Sequence, residues 1–286
     1  MPEAKRNIAA SVRARLTNLA QERGQSLQLL LTRYALERLL YRLSLSPHRE
    51  RFALKGAMLV TALFENPFRP TQDVDFLGFG NPDPDAMLAL FREVAATQLD
   101  DGLVIDIASF RVDHIREELE YGGLRLKADA EIAGARIRLV TDIGFGDAIE
   151  PGLQELTLPV LLDLPAPVLR AYRPETVIAE KFQAMVMLGR ANSRMKDFYD
   201  VWQLSRAYTF DVEAVAQAIR ATFARRNTGV PTDAPDALTP VFAADPAKQN
   251  QWQAFLRGIE AEPVALATVL GDLSAFLMPA ARRARE

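Results

Sequence analysis

The stretch Arg51-Phe52-Ala53-Leu54-Lys55-Gly56-Ala57-Met58, followed by Arg69-Pro70-Thr71-Gln72-Asp73-Val74-Asp75-Phe76, decides the fold. Asp73 and Asp75 alternate with Val74 and Phe76, so as a strand this run sends both carboxylates to one face and the apolar pair into a core. Such carboxylates stand roughly 7 Å apart along the strand, which leaves room for a hard divalent cation to bridge them to substrate phosphates. The competing reading is an exposed polar strand edge, and Asp-x-Asp alone does not choose between the two. The preceding Lys55-Gly56 step opens an apolar segment from Ala57 to Phe64. Glycine at a strand-to-helix junction lets a phosphate approach the backbone, with the amides of the following helix turned toward the anion.

An apolar strand, a glycine turn, a helix and an alternating Asp-x-Asp strand together resemble the nucleotidyltransferase site of enzymes that add nucleotides to acceptor hydroxyls. Most such sites carry Gly-Ser or Gly-Gly at the turn. Gly56-Ala57 supplies no hydroxyl there, so phosphate binding would rest on the backbone.

The 286 residues, 49% of them apolar, suffice for one large domain or two modest ones. A net charge of -3 and a pI near 5.6 argue against nonspecific coating of nucleic acid, while leaving room for a local basic surface. The absence of cysteine excludes disulfides, thiol catalysis and cysteine metal sites, and His48 and His114 alone do not make a histidine-rich zinc site. No signal-peptide core follows Met1-Pro2-Glu3-Ala4-Lys5-Arg6, and no apolar run approaches the ~20 residues of a membrane span, so the expectation is a cytoplasmic protein with no membrane partner. The basic residues Lys5, Arg6, Arg13, Arg15 and Arg23 read as a solvated helix face or an RNA contact.

Periodicity predicts helices over residues 7–45, where a leucine-rich stripe is interspersed with Arg33, Glu37 and Arg38. It then predicts a strand at 51–55, a helix at 57–64, a strand at 73–77 and a helix to about 97. Strands follow near 103–108 and 121–131, and the clean alternation of 135–143 predicts another. Proline-dense residues 151–173 read as connecting chain with short extended pieces. Helices are expected at 174–189, 193–206, 211–225, 247–258 and 263–278, with an irregular connector at 226–246 and a mobile basic tail at Arg282-Arg283-Ala284-Arg285. The expected fold is α/β and bilobed. Residues 1–165 form a mixed-sheet lobe with N-terminal helices, and 166–286 form a helical lobe.

A third carboxylate would be needed for two metal ions. Asp142, ending a strand before Gly144-Phe145-Gly146, is the first candidate, and Asp106 in Val104-Ile105-Asp106-Ile107 competes with it. Either could instead be a strand-end aspartate bonding nearby amides. Farther on, Pro174 is placed to start a helix whose buried side is Val177, Ile178, Phe182, Met185 and Val186. Lys181, between Ile178 and Phe182, either snorkels or reaches a triphosphate. Asp197 and Asp200 in Arg194-Met195-Lys196-Asp197-Phe198-Tyr199-Asp200 share one helical face. Asp197 could serve the helix start, orient Lys181 or act on an attacking hydroxyl.

Taken in order, Lys55-Gly56, Arg69-Pro70-Thr71 with Asp73-x-Asp75, Thr141-Asp142-Ile143-Gly144-Phe145-Gly146-Asp147, Glu180-Lys181 and the Arg194–Asp200 run resemble the AbiEii/AbiGii toxin family of nucleotidyltransferases over roughly residues 25–206. The resemblance implies a toxin of a type IV toxin–antitoxin or phage-abortive-infection pair, using NTP and Mg²⁺ to modify an RNA acceptor such as the tRNA 3′ end, with a cognate antitoxin. It also implies Asp73 and Asp75 as metal ligands, Lys181 as a catalytic nucleotide-phosphate contact and Asp197 as the catalytic acidic residue of the second lobe; Asp142, read from its strand-end position, is the candidate third metal ligand. Lys55, Gly56, Arg69, Thr71, Lys181 and Arg194 would contact the nucleotide, with Arg51 as a further candidate. Two other outcomes stay open, nucleotidylation of a protein hydroxyl and a catalytically silent nucleotide- or partner-binding protein.

Overall fold

A computed structural model of the chain describes residues 7–64, 71–115 and 122–286. The chain divides into two compact units, Met1–Gly146 with Glu155–Ala171, and Asp147–Gln154 with Tyr172–Glu286.

The first unit opens with two helices, α1 (Ile8–Arg23) and α2 (Leu27–Leu45). Gly24 ends α1 in the left-handed region (φ 63°) and returns its amide to the carbonyls of Ala20 and Gln21. Then come β1 (Phe52–Lys55), the short α3 (Gly56–Ala62), β2 (Val74–Gly78) and α4 (Pro84–Ala95). Asp83 caps α4 by accepting from the Ala86 amide, and Pro84 starts it. Three long strands follow, β3 (Val104–Ile115), β4 (Gly123–Ile132) and β5 (Ala135–Phe145), and then β6 (Leu153–Thr157) and β7 (Val168–Tyr172). The described strands form a seven-stranded mixed sheet in the order β3-β4-β5-β2-β1-β7-β6. The proline-dense segment thus contributes two strands to the sheet, with β7 parallel to β1.

One face of β4 and β5 is apolar. Leu124, Leu126, Ala128, Ala130, Ile137, Leu139 and Ile143 are buried, and α1 and α2 pack against these strands. The other face carries Arg125, Lys127, Asp129, Arg136, Arg138 and Asp142, as the alternation predicts.

On α2 the charged residues depart from a simple solvated stripe. Glu37, Arg38 and Arg42 are all buried. Arg38 donates to Asp101 at 3.1 Å, Arg42 grips the same carboxylate at 2.7 and 3.1 Å, and the Tyr34 hydroxyl donates to the Asp101 carbonyl at 2.6 Å. Burial of these charges is compensated because each finds a partner. Glu37 accepts from Arg33 and from the Leu161 amide, at 2.9 and 3.0 Å.

The second unit contains α5 (Pro174–Leu188), α6 (Met195–Ala207), α7 (Val212–Arg225), α8 (Pro240–Ala244), α9 (Pro246–Gly258) and α10 (Leu266–Ala284). Its core joins Val177, Ile178, Phe182 and Met185 of α5 to Phe198 and Leu204 of α6, Ile219 and Phe223 of α7, and Leu273 and Leu277 of α10. Two expectations are corrected here. The connector 226–246 holds a helical turn at Asp236–Leu238 that buries Ala237 and Leu238, followed by α8. The basic tail is helical through Ala284 and bonded to α7: Arg283 donates to Glu213 at 2.6 Å, and Arg220 donates to the carbonyls of Ala284 and Arg283.

Candidate active site

Strand pairing lays the charged residues of the first unit in a line. Lys55 is opposite Asp75 in the β1–β2 pair, Asp75 is opposite Asp142 between the parallel β2 and β5, and Asp142 is opposite Arg125 between β5 and β4. Arg125 is in turn opposite Asp113 on β3. Cross-strand partners share a face, so cation, anion, anion, cation and anion stand in one row across five strands. Asp73 precedes Asp75 by one alternation and is bonded by the Thr71 hydroxyl, 3.0 Å from Oδ1. Thr71 therefore bonds Asp73 directly.

Gly56 fits beneath this row for a steric reason. Its φ is +66°, and a Cβ built there would stand 1.9 Å from Asp75 Oδ2 and 2.7 Å from Asp75 Cβ. Only glycine allows both that backbone conformation and that approach. The side of the glycine where a Cβ would stand is occupied by the Asp75 side chain.

Asp142 is committed to a partner that the sequence reading did not single out. Arg125 Nε and Nη2 donate to its two oxygens at 2.7 and 2.6 Å. The guanidinium is held firmly charged, first by that bonded carboxylate, against a burial penalty, and then by the charges of Asp142, Asp73 and Asp75. Among the described residues no three acidic or histidine side chains gather at metal-holding spacing. The carboxylates expected as ligands, Asp73, Asp75 and Asp142, include two that stand opposite each other across β2 and β5, Asp75 and Asp142. Magnesium suits such a set, since it commonly keeps several waters and takes one or two carboxylates together with substrate phosphates. Asp106, the competitor of Asp142, accepts from the Ala108 amide at 3.0 Å beside an irregularity in the β3–β4 pairing. Arg69 lies outside the described residues, and Arg51 ends the short turn that precedes β1.

The second unit holds another charged cluster. Lys181 Nζ lies 2.5 Å from Asp197 Oδ1 and 3.0 Å from Asp200 Oδ2. Lys181 thus pairs with both Asp197 and the fully buried Asp200. Arg194 is exposed immediately before α6, its amide bonded to Asn192 Oδ1 at 2.8 Å. Beside Lys181 on α5, Glu180 accepts from Arg226 at 2.9 Å, and Arg226 also donates to Asp147 at 3.2 Å and to Gln183 at 3.1 Å. Burial works against the Arg226 charge, but Glu180 and Asp147 more than restore it. Arg226 lay in what the sequence presented as irregular connector, without a local signal to mark it.

A mixed sheet with paired aspartates on its polar face, accompanied by a helical unit carrying a clamped lysine, defines a nucleotidyltransferase-like protein. The family model for the nucleotidyl transferase AbiEii toxin of type IV toxin–antitoxin systems matches residues 38–277, and the chain belongs to that family. Two solved structures from Helicobacter pylori share the fold. JHP933 is 15% identical, with a TM-score of 0.51 and coverage of 91% of this chain and 94% of the other. A candidate nucleotidyltransferase is 14% identical, with a TM-score of 0.50 and coverage of 91% and 97%. Comparison with curated proteins gives no match. Among the described residues no helix is long and apolar enough to cross a membrane.

Proposed function

We propose that this chain transfers the NMP moiety of an NTP to an RNA acceptor, the tRNA 3′ end, and so blocks translation as the toxin partner of a cognate antitoxin. The observation that carries the reading is the row Lys55–Asp75–Asp142, with Gly56 shaped to the Asp75 carboxylate, in a chain of this toxin family. An acceptor hydroxyl oxygen forms a bond to the α-phosphorus, the bond from that phosphorus to the bridging oxygen of the β-phosphate breaks, and pyrophosphate leaves. Asp73 and Asp75 would hold a Mg²⁺ ion, which supplies positive charge for the attacking and leaving oxygens. Thr71 keeps Asp73 oriented. From the family resemblance, Asp197 would take the proton of the attacking hydroxyl, Lys181, paired with Asp197 and Asp200, would contact the nucleotide phosphates, and Lys55, Arg69, Arg194 and the Gly56 backbone are further candidate phosphate contacts.

The test is incubation of the purified chain with Mg²⁺, total tRNA and each α-labelled NTP separately, beside Asp75→Ala and Asp197→Asn. Label entering tRNA with the wild type and lost with both variants supports the reading and names the nucleotide. Label entering protein bands while RNA stays unlabelled would replace the RNA acceptor by a protein hydroxyl. Absence of label from both fractions would remove the transferase reading.

A further inference from the structure

β3 closes one end of the sheet, with β4 as its sheet neighbour among the described strands. A sheet edge offers its outward amides and carbonyls to another chain, and proteins blunt such edges with bulges and with charges that repel a copy. β3 has the bulge. Its register with β4 shifts between Asp106 and Arg111, where Asp106 accepts from the Ala108 amide and the Ser109 hydroxyl donates to the Asp106 carbonyl. Beyond it, residues 111–115 pair regularly with β4, and the strand is anchored where this run begins: Phe110 is buried, and Arg92 of α4 donates to its carbonyl at 3.3 Å. The run is exposed on both faces, with Arg111 and Asp113 on the polar face and His114 on the other. Its charges attract a copy instead of repelling one. Arg111 and Asp113 are opposite in sign and two residues apart on one face, so an antiparallel copy centred on Val112 sets each arginine opposite the aspartate of the other chain. Within the chain, by contrast, Arg111 stands opposite another cation, Lys127, whose Nζ is drawn to Asp113 at 2.8 Å.

We propose that the β3 edge is a homodimer interface, in which residues 111–115 pair antiparallel with the same run of a second copy about a twofold axis at Val112. The two sheets then become one continuous sheet, and neither keeps this edge. Asp113 holds Lys127 and gains the arginine of the copy, since a carboxylate offers about four lone-pair sites. Val112, opposite the buried Leu126, meets its own copy and extends the apolar face. The order of charges commits the surface to a second copy of this chain: a cation followed two residues later by an anion is matched at both positions by the same order read in reverse, which a twofold axis supplies.

The experiment is sedimentation velocity on the full chain over a concentration series. Wild type is expected to sediment at twice the 31.8 kDa chain mass. Arg111→Asp puts aspartate against Asp113 at both contacts and Asp113→Arg puts arginine against Arg111, so each variant alone is expected to sediment as a monomer. An equimolar mixture of the two restores opposite charges at both contacts and is expected to recover the dimer. That recovery separates direct pairing from a loss of folding, which a merely damaged strand would not reverse. Thermal melts check that each variant folds, and Arg111→Glu with Asp113→Lys replaces the pair if either does not. A wild type that stays monomeric at every concentration, a dimer that survives both single reversals, or a mixture of folded variants that stays monomeric overturns the proposal. None of these results bears on nucleotidyl transfer, which the labelling assay tests separately.

Discussion

Gly56→Ala should damage the chain through a single side-chain encounter, and its cost can be separated into two parts. The first is conformational. At φ +66° an alanine sits in the left-handed region, at about 1–2 kcal/mol. The second is steric: the new methyl would meet Asp75 Oδ2 at 1.9 Å, Cγ at 2.5 Å and Cβ at 2.7 Å. Rotating the carboxylate relieves the first two contacts but not the third, so β2 must also shift, at about 1–3 kcal/mol for overpacking. The sum is about 2–5 kcal/mol, a fall in melting temperature of roughly 4–20 °C for a unit of this size. The assay is urea unfolding of Gly56→Ala, Asp75→Gly and the double variant. Removal of the Asp75 side chain eliminates all three encounters, so Gly56→Ala should then cost only its conformational part, with a coupling of about 1–3 kcal/mol between the sites. An equal cost of Gly56→Ala in both backgrounds would show that Asp75 does not lie over the glycine. Activity provides a second measure, since a displacement of about 1 Å at a reacting site can cost on the order of 100-fold in rate.

Asp101→Ala leaves Arg38 and Arg42 buried without their shared carboxylate and should destabilise the first unit by about 3–5 kcal/mol in urea unfolding. Asp200→Asn keeps the shape of a fully buried side chain but removes a charge that holds Lys181; unfolding should become easier by about 1–3 kcal/mol. If Lys181 needs that anchor, the nucleotidyl transfer rate should fall about tenfold or more. Glu37 has its carboxyl pKa raised above 4.5, first by burial, with Arg33 and the Leu161 amide opposing. The folded state therefore holds this proton more tightly than the unfolded state, and stability from this group falls as pH rises from the ordinary glutamate range through the raised value. Urea unfolding across that range should show wild type losing stability relative to Glu37→Gln as pH rises; a flat difference would refute the assignment.

Much of the architecture was legible because the relevant signals are local. The alternation Arg136-Ile137-Arg138-Leu139 gives β5 and its two faces, and Pro174 gives the start of α5. What local periodicity cannot give is the partner across the sheet. Arg38 looked like a polar interruption of a leucine stripe because Asp101 is distant in sequence, and burial of an arginine depends on that partner. The helical character of 282–284 likewise depends on Glu213 and Arg220, which belong to α7.

Arg125 is the instructive case, because its partner lies far off in the chain yet its register follows from a turn. β4 ends at Ile132 and β5 begins at Ala135, leaving Ala133 and Gly134, both at positive φ (46° and 81°), as a two-residue hairpin connection of the kind whose twist matches paired strands. Such a turn fixes Ile132 opposite Ala135, and stepping outward one residue at a time on each strand brings Asp142 opposite Arg125. Adjacent residues of opposite charge on one face then become an ion pair. Counting outward from this turn, rather than weighing Asp142 alone as a strand-end carboxylate, reaches the arginine that pairs with it.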